Sequence, residues 1–149
     1  MGNVISFRPA TVDDRAFVDT LLHTTMREFV QATWPGDEEA QRHYFEVNKF
    51  NFANTRIIQV DGKDVGRIST TIFSDHIFID EIHIAPEYQH RGIGRQVIEK
   101  VISRARKMHL PISATILIVN KPSEKLFLKM GFKVVEEKDH RFHVAYAPI

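Results

Sequence analysis

The stretch Ile82-His83-Ile84-Ala85-Pro86-Glu87-Tyr88-Gln89-His90-Arg91-Gly92-Ile93-Gly94-Arg95 holds the residue types that can bind a phosphate. A β-branched run ends, and a loop with two closely spaced glycines leads into a helical pattern. The first N–H groups of a helix have no partner inside it, and the helix dipole places partial positive charge there. Such an end favours a phosphate or pyrophosphate. Gly92 and Gly94 let the backbone approach the anion with no Cβ in the way. Arg91 and Arg95 flank the loop and can contact phosphate oxygens directly. From Glu87 to Lys107 there are six basic residues against two acids, an excess that a solvated helix face largely explains. Two rival phosphate loops fail: a dinucleotide fingerprint wants a third small residue where Val97 stands, and no Gly-Lys-Ser/Thr triplet supplies a P-loop.

The elements that must position this loop can be read from periodicity. Val4 to Arg8, closed by Pro9, reads as a first strand. Thr11 with Asp13 and Asp14 resembles a helix start, and Phe17, Leu21, Leu22, Met26, Phe29 and Val30 follow at helical spacing. Trp34-Pro35-Gly36 breaks that helix, and Asp37, Glu38 and Glu39 open a second. Thr55 to Val60 and Val65 to Phe73 read as strands joined by an Asp61-Gly62 hairpin turn, and Ile77 to Ile84 as a third. Ile93 to Met108 is a helix stopped by Pro111, with Ile93, Val97, Ile98, Val101, Ile102 and Ala105 as its apolar stripe. Ile112 to Val119 is nearly all apolar, as expected of a strand covered on both faces. A short helix from Ser123 to Met130 ends at Gly131, and Phe132 to Glu137 pairs with Phe142 to Ala147. The order is β-α-α-β-β-β-α-β-α-β-β, which predicts an α/β chain with a mixed sheet and helices on both faces.

Gln89-x-x-Gly92-x-Gly94 at a strand-to-helix junction resembles the Gln/Arg-x-x-Gly-x-Gly/Ala acyl-CoA signature of the GNAT superfamily. Asn120-x-x-Ser123-x-x-Leu126-Phe127-x-x-x-Gly131-Phe132 is similar to that family's second signature, Asn-x-x-Ala-x-x-Leu-Tyr-x-x-x-Gly-Phe. The resemblance implies one acetyltransferase domain over residues 1–149, a mostly antiparallel α+β sheet, and acetyl-CoA as acetyl donor with no metal. It implies that the pantetheine arm lies along Ile82, His83 and Ile84, bonded by the backbone of Ile82 and Ile84 like an added strand. The N–H groups of Gln89, His90, Arg91, Gly92, Ile93, Gly94 and Arg95 would cradle the pyrophosphate. Asn120 would bond the donor's amide region and Lys125 would reach a phosphate, although a helix lysine facing solvent is the commoner arrangement. The acceptor would be a small-molecule or peptide amine, and the assembly a homodimer through the C-terminal strands. A non-catalytic acyl-CoA-binding domain is the alternative.

An aliphatic amine has a pKa of about 10, so it arrives as an ammonium and must lose a proton before it attacks. Asp80 and Glu81 are the carboxylates on the strand ahead of the loop, and alternation turns at most one into the acceptor pocket. Glu81 is the expected base, with His83 on its face, while backbone N–H near Ile82 serves the developing oxyanion. Where many family members carry Tyr, this chain has Phe127, which cannot donate a proton. Water or Tyr146 would take that role, or the thiolate leaves unprotonated, since a thiol pKa of about 8.5 is not far above ambient pH. Asp37, Glu38 and Glu39 could attract a cationic acceptor, although acids are also normal in a first helical turn.

Composition bounds the rest. There is no cysteine, which excludes disulfides and a cysteine nucleophile and is compatible with a reducing cytoplasm, the expected location. A formal charge of +1 recruits neither nucleic acid nor a membrane, and no apolar run or basic-then-apolar start suggests insertion. Met1-Gly2 with Ser6 fits a loose myristoylation pattern, but Val4, Ile5 and Phe7 read better as an opening strand. His140-x-x-His143 is read as incidental to metal binding.

Overall fold

The computed structural model describes residues 4–147, so Met1 and Gly2 of the myristoylation pattern lie outside them. Seven strands and four α-helices alternate as β1 (Ile5–Pro9), α1 (Arg15–Thr33), α2 (Glu38–Val47), β2 (Thr55–Val60), β3 (Lys63–Ile72), β4 (Ile77–Ile84), α3 (Ile93–Met108), β5 (Ile112–Leu117), α4 (Lys121–Lys129), β6 (Lys133–Lys138) and β7 (Arg141–Tyr146). The class is mixed α/β, with strand order β1-β2-β3-β4-β5-β7-β6. The pairs β1/β2, β2/β3, β5/β7 and β6/β7 are antiparallel, and β4/β5 is parallel. The element order is the one expected from periodicity. The chain groups into two compact units, one holding the residues up to Ser69 with Glu81–Gly94, the other Thr70–Asp80 with Arg95 onward.

In the first unit, Thr11 caps a single 3-10 turn (Val12–Asp14) that runs into α1, and the Asp14 side chain accepts from the Thr11 N–H at 2.8 Å. Arg8 clamps Asp14 through both terminal nitrogens, at 3.0 and 2.8 Å, and also reaches Asp64 at 2.9 Å. Its guanidinium holds both carboxyls below their ordinary value, and they in turn raise the Arg8 pKa. Helix α1 buries Val18, Leu21, Leu22, Met26 and Val30, a stripe at three- and four-residue spacing. Val18 joins Ala10, Phe50 and Ile57 in one core cluster with Phe17 against it. Pro9 is the last residue of β1 and not a stop outside it; at a sheet edge the missing N–H costs no ladder bond. The Asp61-Gly62 turn has positive φ at both residues (51° and 81°), which matches the twist of the strands it joins and lets β3 begin at Lys63.

In the second unit, β5 pairs with Ile77–Ile79 of β4 on one side and with all of β7 on the other. Coverage of β5 is less complete than its apolar composition suggests: Ile112, Ala114 and Ile116 are buried, Ser113 is half-buried and Thr115 is exposed. The strand ends at Leu117 because Asn120 N–H turns back to the Leu117 carbonyl at 2.8 Å. The six residues of α3 expected to form its apolar stripe are all buried. That helix ends three residues before Pro111, and the next residue, His109, takes a φ of 56°. Among the described residues no helix is long and apolar enough to cross a membrane.

Candidate functional site

The start of α3 differs from the other helix starts. Thr11 caps the turn into α1, Asp37 accepts from the Ala40 N–H at 3.0 Å ahead of α2, and Asn120 accepts from the Ser123 N–H at 3.2 Å ahead of α4. Helix α3 is preceded by Gly92, which has no side chain to offer, so the first-turn amides from Gly92 to Arg95 keep their donors unfilled by a side-chain cap. His90 and Gly92 both take left-handed φ, 62° and 78°. A Cβ built on Gly92 would meet nothing within 4 Å, so the space over these amides is open. Consecutive N–H groups around residues of opposite backbone hand form a concave anion nest. The donor set therefore fits a phosphate or pyrophosphate.

Around the nest, Arg91 is exposed and stacks over the Tyr88 ring at 5.0 Å, while exposed Arg95 pairs with Glu99 at 3.4 Å. Gln89, expected among the cradling amides, is engaged locally instead: its N–H donates to the Pro86 carbonyl at 3.2 Å, and its Nε2 donates to the Ile84 carbonyl at 2.9 Å and fastens the loop to the end of β4. His90 is exposed at the loop tip, and the Ile93 side chain is buried beneath it.

On β4, the Ala85 N–H donates to the Val65 carbonyl of β3 at 2.8 Å. Alternation then aims the backbone of Glu81 and His83 at β3, and that of Ile82 and Ile84 at the opposite edge. That edge is where an extended arm could add as a strand, although the Ile84 carbonyl already accepts from Gln89.

Glu81 and His83 share a face, with Glu81 Oε2 at 3.2 Å from His83 Nε2. Both are largely buried, at 13% and 5% side-chain exposure, which keeps water from competing for this bond. His83 Nδ1 accepts from Arg67 Nε of β3 at 3.2 Å. Asp80 points to the other face and accepts from Thr71 at 2.7 Å. A carboxylate, an imidazole and a guanidinium thus lie in line beside an open strand edge. A carboxylate in such a row can accept a proton.

Sequence reasoning missed Arg67 and Gly66. Residues Val65 to Ser69 are buried without interruption, so both faces of β3 are covered and alternation offers no cue to a functional side. The signal was an arginine inside an apolar strand, which is rarely buried unless paired. Gly66 is there for room, because a Cβ would collide with the His83 carbonyl oxygen.

In the second unit, the Asn120 side chain is occupied as the α4 cap and Lys125 is exposed on that helix. Phe127 is 2% exposed, edge-on to Phe132 with ring centroids 5.0 Å apart. Tyr146 lies against Phe132 at 5.3 Å, and its hydroxyl accepts from Arg106 at 3.2 Å. On the first unit, Asp37, Glu39, Arg42, His43 and Glu46 line an open groove of about 470 Å³ along α2. Among the described residues no group of three His, Asp or Glu could hold a metal ion.

A family model described as the acetyltransferase (GNAT) family matches residues 18–132. An uncharacterized N-acetyltransferase of Staphylococcus epidermidis is 32% identical over 83 residues, 54% of this chain and 52% of that protein. The chain thus spans about half the length of this curated relative. The PaiA N-acetyltransferase of Thermoplasma acidophilum, solved with coenzyme A, superposes with a TM-score of 0.77 over 97% of this chain and 99% of that one, at 16% identity. The ribosomal-protein-S18-alanine N-acetyltransferase of Escherichia coli gives 0.67 over 97% and 94%, also at 16%. At such identities the likeness is one of fold.

Proposed function

The chain belongs to the acetyltransferase (GNAT) family, and from that premise we propose that it moves the acetyl group of acetyl-CoA to a primary amine by direct attack. The observation that carries this reading is the uncapped start of α3, where open space meets a row of amides held by left-handed His90 and Gly92. Among the described residues, the other three α-helices have a side-chain cap at their head or in the turn that leads into them. We read the 149 residues as one cytoplasmic acetyltransferase domain.

In this reading the amides from His90 to Arg95 bind the donor's pyrophosphate, with Arg91 and Arg95 adding charge. The Ile82 and Ile84 backbone receives the pantetheine arm along the free edge of β4. Lys125 reaches a phosphate, and Asn120 offers its remaining side-chain N–H to the donor's amide region while it caps α4. Glu81 removes a proton from the ammonium, directly or through water, and the freed amine attacks the thioester carbonyl. The C–N bond forms, the C–S bond breaks, and coenzyme A leaves as the thiolate, which takes up through water the second proton that the acylated nitrogen gives up. Phe127 contributes no proton. Products are an N-acetylamine, coenzyme A and the proton taken up by Glu81. A homodimer through the C-terminal strands belongs to the same reading, since all six residues of β6 are exposed.

Acetyl-CoA turnover against a panel of polyamines, amino acids and peptides tests the proposal, with thiol release as the readout. Glu81→Gln should lower kcat by about 10²- to 10⁴-fold, the usual share of a positioned base, and leave coenzyme A affinity alone. Tight binding with no transfer to any amine would favour the acyl-CoA-binding alternative, which the missing hydroxyl at Phe127 supports. No uptake of coenzyme A would defeat both.

A further inference from the structure

Among the described residues Arg67 is the largest side chain with under 2% exposure, and the acetyl-transfer steps above give it no task. A guanidinium carries donors only and cannot be deprotonated in a protein. Its Nε points at His83 Nδ1 at 3.2 Å, so Nδ1 must be the bare nitrogen of the ring. A neutral imidazole has one bare nitrogen and one N–H, and the N–H is then Nε2, which lies 3.2 Å from Glu81 Oε2. Donor and acceptor roles therefore run in one direction, from Arg67 through His83 to Glu81. The other tautomer would set N–H against N–H at Arg67 and a bare nitrogen against a carboxylate at Glu81.

We infer that Arg67 is a positioning residue: by fixing His83 in its Nε2–H form it holds one Glu81 oxygen and leaves the second aimed at the acceptor amine. This rests on the assignment of Glu81 as base. His83 itself is excluded from that role, because both ring nitrogens are engaged. The charged groups facing the imidazole come from two strands, Arg67 from β3 and Glu81 from β4, while Asp80 turns away to Thr71. Gly66 belongs to the same device. A side chain there would push the His83 carbonyl, and with it the spacing that both 3.2 Å contacts need. A guanidinium that orients a ring, which orients a carboxylate, is the logic by which a third group sets a base in other catalytic rows.

Two measurements decide the matter. In the wild-type chain, long-range proton–nitrogen NMR should show His83 protonated at Nε2 and bare at Nδ1; the opposite tautomer overturns the inference whether or not any amine is acetylated. Arg67→Met keeps bulk and removes the donor, so kcat should fall about 10- to 100-fold, the scale of a lost reacting geometry, while KM for acetyl-CoA stays within about two-fold. Arg67→Lys restores a donor and should recover part of the loss. In a Glu81→Gln background Arg67→Met should cost little more, because the two act as a unit. A folded Arg67→Met enzyme with wild-type kcat overturns the role, and if that variant does not fold the wild-type tautomer still decides. A wild-type chain that binds acetyl-CoA and acetylates nothing defeats the functional reading alone and leaves the tautomer result to stand by itself.

Discussion

Gly92 and Gly62 form a matched pair for testing the anion nest. Their φ values are 78° and 81°, and neither would have any atom within 4 Å of an added Cβ. Alanine at either position therefore adds the same penalty, the cost of a left-handed backbone for an L-residue, about 1–2 kcal/mol. At this chain length each kcal/mol lowers Tm by about 2–4 °C, so both variants should melt about 2–8 °C early. Only Gly92 lies among the amides proposed to hold the pyrophosphate. If its backbone relaxes toward negative φ, at least one charge-assisted hydrogen bond is lost, about 1.5–3 kcal/mol, or roughly 10- to 100-fold in Kd. Calorimetric titration with coenzyme A reads this directly. S-acetylpantetheine, which lacks the nucleotide, should not distinguish Gly92→Ala from wild type. Equal coenzyme A affinity in both alanine variants, with the expected loss of Tm in each, would refute the nest.

Asn120→Ala should lower stability by about 1 kcal/mol through the lost cap, and Asn120→Ser should restore it; coenzyme A affinity measured on the same two variants tells the cap from a contact with the donor. The Arg8 cluster predicts an acid limb in stability. Asp14 and Asp64 have folded pKa values below the unfolded value of 3.8, so their contribution is complete above about pH 4–5 and is lost as pH falls through the folded values. Thermal melts between pH 2 and 7 should show that loss, and Arg8→Met should flatten it; an unchanged acid limb in Arg8→Met would remove the cluster from the account.

Much of the fold was legible because its signals are local. The apolar stripe of α3 could be read position by position, since one buried face of a helix writes its own 3.6 period. The Asp61-Gly62 turn needed only two residues that tolerate positive φ. Helix α4 starts two residues ahead of the expected Ser123, with Lys121 and Pro122 inside the helix, because Asn120 caps it. Pro at the second helical position has no N–H to lose, so it opens α4 instead of blocking it. The Arg67–His83–Glu81 row was only half legible. Spacing two apart on one strand put Glu81 and His83 on a common face, but Arg67 reaches them across sixteen residues of chain. No short-range pattern carries a cross-strand contact in a strand buried on both faces.

The two signatures that marked this chain do different physical work. Asn120, Phe127, Gly131 and Phe132 are the two ends of one short helix. Asn120 caps its start, and at its end Phe132 N–H bonds the Phe127 carbonyl at 3.1 Å and Gly131 N–H the Leu128 carbonyl at 3.1 Å. That is a Schellman closure, with Gly131 left-handed at φ 101° and the two phenylalanine rings in the contact that accompanies it. Phe127 meets every demand of this closure with its ring alone. A hydroxyl would add nothing to the helix end, so its absence changes the chemistry available and not the fold. The Gln89 to Gly94 signature is the reverse case. It ends in a helix start that no side chain closes, and unfilled amides are stable only if water or a ligand meets them. One signature is closed within the chain, and the other leaves its first-turn amides to be met by water or an anion.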